Sequence, residues 1–228
     1  MFIALAEESG QIEAVTDWVI DHAIGQFAQW HRSVPGTKLL TINVNISGRD
    51  LVRDDLVDTV QAVLQRHQLP PACLTLEITE STLMGQLDVA TRTMAQLRAS
   101  GVRFSIDDFG TGYSSLAYLS TLPIDSLKID RSFVMGMHDK PQNVEIVRAV
   151  LTLGNALGRK VVAEGIETAE QLATLRQLGV HVGQGYLLSR PLRAEQVLEL
   201  LAVCAATPVT LESWPPASPA ICGTPPAH

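Results

Sequence analysis

The sequence predicts an α/β fold, a parallel sheet closed or wound with helices. Two observations carry the prediction. Apolar stretches recur at Leu39–Asn45, Leu74–Glu77, Val102–Asp107, Leu127–Lys128 and Val161–Glu164, and a helical pattern follows each. Such alternation marks successive βα units. Each stretch also ends in a polar residue suited to chemistry, and in barrels built this way functional residues sit at the C-terminal strand ends. Asn45, Lys128 and four carboxylates (Glu77, Asp107, Asp108, Glu164) are therefore expected at one mouth.

The elements follow in order. Phe2–Ser9 reads as a short helix stopped by Gly10, since glycine is the common helix terminator. Ile12, Val15, Val19, Ala23 and Phe27 recur at helical spacing, so Gln11–Trp30 reads as an amphipathic helix. Pro35-Gly36 turns the chain into a strand over Lys38–Ile46. Leu51–His67 reads as one helix ending before Pro70-Pro71. Leu74–Thr79 is a strand, Leu87–Ala99 a helix closed by Gly101, and Val102–Asp107 a strand. A glycine-containing loop and a short helix near Ser115–Leu119 lead to a strand at Ser126–Asp130. Val144–Leu157 is a helix stopped by Gly158, Lys160–Glu164 a strand, and Thr168 caps a helix to Leu178. A last strand falls at His181–Gly185 and a last helix at Ala194–Ala205.

This gives six strands, where a closed barrel of such units needs eight. The first long helix has no strand before it, which puts the gap at the start. Residues 1–206 read as one domain. Six of the twelve prolines follow Thr207 (Pro208, Pro215, Pro216, Pro219, Pro225, Pro226), so 207–228 is expected to be a disordered tail.

Composition narrows the function. A net charge of -7 speaks against a duplex nucleic acid or anionic-membrane surface, either of which needs clustered Lys and Arg. A small nucleotide stays open, because metal ions can neutralise phosphates locally. Cys73, Cys204 and Cys222 are far apart, without metal-ligand spacing, and read as unpaired thiols of a reducing compartment. No apolar run reaches membrane-span length, and Met1–Glu8 turns acidic too early for a signal peptide.

Side chains alternate faces along a strand. Thr41, Asn43 and Asn45 oppose Ile42, Val44 and Ile46; Thr75, Glu77 and Thr79 oppose Leu74, Leu76 and Ile78. Arg103, Ser105 and Asp107 oppose Phe104 and Ile106; Ser126, Lys128 and Asp130 oppose Leu127 and Ile129. With the apolar faces on the helices, the polar faces point inward, where an unpaired charge is costly. They need one another, water or a metal. Hard oxygen ligands without Cys or a His cluster suit Mg²⁺ or Mn²⁺. Adjacent Asp107 and Asp108 could serve two ions about 3.5–4 Å apart, an arrangement that activates water against a phosphodiester. Lys128 would add positive charge, and Glu164 would take a proton. Carboxylate pairs alone also fit a glycoside hydrolase; the adjacent Asp pair with Lys and Asn favours phosphate chemistry. Asp107–Ser115 is a glycine-containing loop without a standard phosphate-loop motif, and its plain alternative is a strand-to-helix turn capped by Ser114.

At these residues the chain resembles the EAL-domain family of bacterial cyclic di-GMP phosphodiesterases. The segments that carry the likeness are Val44-Asn45-Ile46-Ser47, Leu76-Glu77-Ile78-Thr79-Glu80, Asp107–Ser115, Leu127–Arg131, Val162–Glu167 and Gly183-Gln184-Gly185-Tyr186, within a match from Phe2 to Leu192. The resemblance implies a TIM-like barrel and Mg²⁺- or Mn²⁺-dependent opening of cyclic di-GMP to linear pGpG. It implies metal ligation by Asn45, Glu77, Asp107 and Asp108, and water activation by Lys128 and Glu164. Glu80 is implied to anchor the Asp107–Ser115 loop, which also helps form a homodimer contact; Glu167 and Gln184 match supporting positions. A location in the bacterial cytoplasm follows from the family and the thiols.

Two departures stand out. The family's naming Glu-Ala/Val-Leu strand, whose Glu ligates metal and whose following Arg contacts substrate, has no counterpart in this sequence. The expectation is a barrel incomplete at its N-terminal strand, one carboxylate short and impaired in catalysis. Asp50 stands where the family often carries Gln close to the ligand. The competing reading is a non-catalytic cyclic di-GMP-binding or protein-interaction module.

Overall fold

The computed structural model describes residues 2–34, 40–83, 87–112, 116–180 and 182–206. The tail expected at 207–228, the Pro35-Gly36 turn and the Tyr113–Ser115 end of the glycine loop lie outside the described residues. Two helices, α1 (Phe2–Ser9) and α2 (Ile12–Ser33), precede β1 (Ile42–Asn45). There follow α3 (Gly48–Val52), α4 (Leu56–His67), β2 (Leu74–Thr79), α5 (Glu80–Leu83), α6 (Leu87–Ser100), β3 (Arg103–Phe109) and α7 (Leu116–Thr121). The chain continues through β4 (Ser126–Ile129), α8 (Arg131–Met135), α9 (Pro141–Ala156), β5 (Lys160–Ala163), α10 (Ala169–Leu178), β6 (Val182–Gly183) and α11 (Ala194–Ala206).

All six strands are parallel and lie in chain order, β1 to β6. The sheet curls into a part-barrel with β1 and β6 at its edges. Outside the gap the flanking helices meet: the Trp30 indole of α2 donates to the Ala194 carbonyl at the start of α11 (3.2 Å).

The apolar strand faces pack on the helices as alternation requires. Leu74, Leu76, Ile78, Phe104, Leu127, Ile129 and Val161 are buried in one core with Val60 and Leu64 of α4, Met94 and Leu97 of α6, and Val147 of α9. Each such side chain contributes about 1.5–3 kcal/mol. Local signals set the boundaries. Thr168 and Gln171 form a capping box at α10, and Gly179, at φ +82°, ends that helix in the left-handed region.

Several elements differ from expectation. The helix expected over Leu51–His67 is two helices, because Arg53 is extended (φ −74°, ψ 144°) and pairs with Asp17 of α2 and with Asp55. α5 and α8 are additional short helices; α8 is capped by Asp130, whose Oδ1 accepts from the Ser132 amide at 3.0 Å. β3 runs on to Phe109, past the expected end at Asp107.

α2 is also tied to α4. Asp21 Oδ1 lies 2.8 Å from Arg66 Nη1 and 3.2 Å from His67 Nε2. The His67 hydrogen bond chiefly, against burial and helped by the charges of Arg66 and His67, holds the Asp21 carboxyl below its ordinary value of 3.8. A depressed carboxylate stabilises the fold above its unfolded pKa and loses that contribution as the pH falls through the lower folded value. Asp21 and Arg66 each keep more than a third of their side chain exposed, so Asp21→Asn is expected to cost about 0.5 kcal/mol at pH 7. Urea melts should show the difference from wild type closing in strong acid.

Candidate functional site

The inward polar faces satisfy one another in layers. Ser126 Oγ donates to Ser105 Oγ (2.9 Å), across paired positions of β3 and β4. One layer nearer the C-terminal strand ends, the buried Lys128 ammonium stands among three carboxylates: Glu77 at 2.8 Å, Asp107 at 3.1 Å and Glu164 at 2.7 Å. They come from β2, β3 and the end of β5, so the structure brings together what the alternation placed on one face. Burial alone would push the lysine down. Hydrogen bonds and charge from Glu164 and Glu77 outweigh it and hold Lys128 above the ordinary lysine range. Glu164 is raised above the usual Glu value: its desolvation, helped by Asp107 and Glu77, exceeds the opposing effect of Lys128. Its buried Oε1, close to Nζ, makes no well-angled hydrogen bond.

The adjacent aspartates part company. The β3–β4 register shifts between Ile106 and Phe109, and Asp108 takes φ +52°. A bulge of this kind re-aims side chains. Asp107 turns to Lys128, while the Asp108 backbone turns to positive φ and its carboxyl feels the charge of Asp130. Burial chiefly, then the charges of Asp107 and Asp130, raises the Asp108 carboxyl.

Asn45 lies opposite Glu77 in the β1–β2 register and is exposed. It is Asn43, two residues earlier on the same face, whose Nδ2 donates to Glu77 Oε1 (2.7 Å). Asn43 was not singled out from the sequence, although period-2 alternation beside Asn45 was the available signal. Buried Glu80 accepts from the amides of Gly110 (3.0 Å) and Gly112 (3.4 Å). At Gly112 an added Cβ would lie 2.8 Å from Glu80 Oε1, so the loop needs glycine there to come this close.

Glu167 and Gln184 have exposed side chains; their backbones hold the place. Glu167 N donates to Gln171 Oε1 (2.7 Å), Gln184 N to Ala163 O (2.8 Å), and Gln184 O accepts from Ile166 N (3.1 Å). Asp50, the residue that stands where the family often carries Gln, is fully buried and bonded to Ser47 and to Thr16 of α2.

Among the described residues no three His, Cys, Asp or Glu side chains are arranged to hold a metal ion; the Lys128 ammonium occupies the middle of the acidic group. The donor chemistry still fits a hard divalent cation. The candidate donors are carboxylate and amide oxygens, and the buried Glu164 Oε1 has the Lys128 ammonium at 2.7 Å but no well-angled hydrogen bond.

Comparison with known proteins places this architecture. The EAL domain family model matches residues 1–191. The chain is 45% identical over 201 residues to a bifunctional diguanylate cyclase/cyclic di-GMP phosphodiesterase, MucR, of Pseudomonas aeruginosa, covering 88% of this chain and 29% of that protein. It is 44% identical over 200 residues to the cyclic di-GMP phosphodiesterase NbdA of the same organism, covering 88% of this chain and 25% of that one. The chain thus spans less than a third of either relative. A solved structure, the PaMucR phosphodiesterase in complex with c-di-GMP, superposes with a TM-score of 0.82 at 45% identity, over 86% of this chain and 78% of that one. Six parallel strands curled against helices are the TIM-like architecture of that structure, and with the family match over most of its length the chain belongs to the EAL domain family.

Proposed function

We propose that this chain carries a cyclic di-GMP phosphodiesterase site that opens the cyclic dinucleotide to linear pGpG. The observation that supports it most directly is the Lys128 ammonium held by Glu77, Asp107 and Glu164 at successive strand ends. EAL phosphodiesterases are metal-dependent in general. Here Asn45, Glu77, Asp107 and Asp108 would hold Mg²⁺ or Mn²⁺, and the bound ion would supply positive charge to the phosphate and acidify water. The chain's own groups do the rest. Lys128 orients the attacking water and offsets charge on the phosphoryl oxygens. Glu164, its pKa raised, takes the water proton at Oε1; the phosphorus–oxygen bond to the leaving ribose breaks, and the proton passes to that oxygen. Glu80 holds the glycine loop through Gly110 and Gly112, and Glu167 and Gln184 support the rim. The same loop region is proposed as a homodimer contact, which sedimentation tests. The bacterial cytoplasm is the proposed location; no described helix is long and apolar enough to cross a membrane.

The 228-residue polypeptide by itself is proposed to turn over slowly. Asn43 and Asn45 are exposed on β1, which lies at an edge of the described sheet. Asp108, carried past the bulge at positive φ, favours the second reading, a non-catalytic cyclic di-GMP receptor or interaction module. Hydrolysis assays with Mg²⁺ and with Mn²⁺, paired with calorimetry, decide. Binding with slow turnover is expected. Turnover matching that of a full-length relative overturns the impairment, binding with no turnover supports the receptor, and absence of binding overturns the ligand assignment.

A further inference from the structure

One buried polar assembly has no part in this chemistry. Asp50 Oδ2 accepts three hydrogen bonds: from the Ser47 amide (2.8 Å), the Ser47 hydroxyl (2.6 Å) and the Thr16 hydroxyl of α2 (2.9 Å). The Asp50 amide donates back to Ser47 Oγ (3.3 Å). Arg53, buried beside it, pairs with Asp17, the next residue of α2, and lies 3.3 Å from Asp55 and 3.9 Å from Asp50 Oδ1. Successive residues of α2 thus grip the turn between β1 and α4 twice.

A helix cap alone does not account for this. A capping box needs only Ser47 and Asp50; Thr16, 34 residues away in sequence, adds nothing to the cap and ties it to another helix. The arrangement is also costly. Asp50 is fully buried, and its Oδ1 has no hydrogen-bond partner, whereas burying a charge repays its desolvation only when its partners are complete. Position supplies the reason. Ser47 follows Asn45 by two residues, and among the described residues β1 is an edge strand with β2 as its one strand neighbour. Past Asn45, the last sheet bond is from Ile46 N to Glu77 O (2.9 Å). The grip from α2 holds this strand end independently of the sheet.

We infer that Thr16 and Asp50 are positioning residues for Asn45: their buried bond fixes the turn after β1 and so aims the Asn45 amide at the cation it would help to hold. This rests on the metal-site reading proposed above. Loss of a group that orients a metal ligand typically weakens affinity about 10–100-fold.

Thr16→Val keeps the shape and removes the donor, Thr16→Ser returns it, and Asp50→Asn is a second, near-isosteric variant. Two measurements apply to each folded variant: Mn²⁺ affinity by calorimetry, and the Asn45 side-chain amide resonances without cation. Thr16→Val is expected to bind Mn²⁺ about tenfold more weakly and to shift the Asn45 resonances, and Thr16→Ser to recover both. Unchanged Asn45 resonances and unchanged affinity in folded Thr16→Val and Asp50→Asn would overturn the inference. So would changes in Thr16→Val that Thr16→Ser does not reverse. Should the wild-type chain bind no divalent cation, the metal reading fails, and the Asn45 resonances alone still decide whether the grip positions that residue.

Discussion

Lys128→Met should unfold at markedly lower urea than wild type at pH 7, by about 3–5 kcal/mol, the cost of leaving buried charge unpaired. Its ammonium lies within 3.1 Å of Glu77, Asp107 and Glu164. Methionine fills similar space without charge, so the loss reports electrostatics and not a cavity. The sign of the pH dependence follows. Without the ammonium, the carboxylates repel one another and bind protons more tightly in the folded state than in the unfolded one. Stability of the variant should therefore rise as the pH falls, and the gap to wild type should narrow. Added Mg²⁺ or Mn²⁺ should recover part of the loss at pH 7, because a divalent cation can stand where the ammonium stood. Phosphodiester hydrolysis should fall by at least about 10²-fold, the range seen when one electrostatic stabiliser is removed. A variant as stable as wild type at pH 7 would mean that the four groups do not pair in solution.

Gly185→Ala should be at least as damaging to the fold. A Cβ there would lie 2.2 Å from both the backbone nitrogen and the backbone oxygen of Ile166, and neither atom can swing away as a side-chain tip can. Both are already bonded, Ile166 N to Gln184 O (3.1 Å) and Ile166 O to Leu187 N (2.9 Å). To admit one methyl, the segment after β5 must separate from the segment after β6. Overpacking of a tight site costs about 1–3 kcal/mol, and the broken backbone bonds add about 1 kcal/mol each. The same displacement drags Glu164, two residues upstream, away from Lys128. Thermal melts should show a large drop in midpoint, and ligand binding should weaken even where the protein is still folded. A fully stable variant would refute the close approach.

Legibility from sequence followed the range of the forces involved. Leu74–Thr79 was readable to the residue because its apolar face is continuous and Pro70-Pro71 sets its start. The inward group Glu77, Asp107, Lys128 and Glu164 was readable because period-2 alternation and strand ends are local properties. Long-range pairing was not. Nothing near Arg53 announces that Asp17 will draw it out of a helix, and nothing near Asp50 announces Thr16. The bulge that separates Asp107 from Asp108 is a mismatch between two strands, so neither strand alone encodes it. Asp130, read as one more inward residue, is pulled instead to the start of α8.

Sheet order that repeats chain order bears on how this molecule assembles. Every strand pair joins neighbouring βα units, so loop closure stays short and the entropic toll on nucleation is low for a parallel sheet. Each unit can dock on the preceding one while the ribosome is still making the next. The Trp30–Ala194 bond, spanning 164 residues, has to wait until nearly everything else is in place, which makes the indole fluorescence of Trp30 a natural reporter of the final folding step.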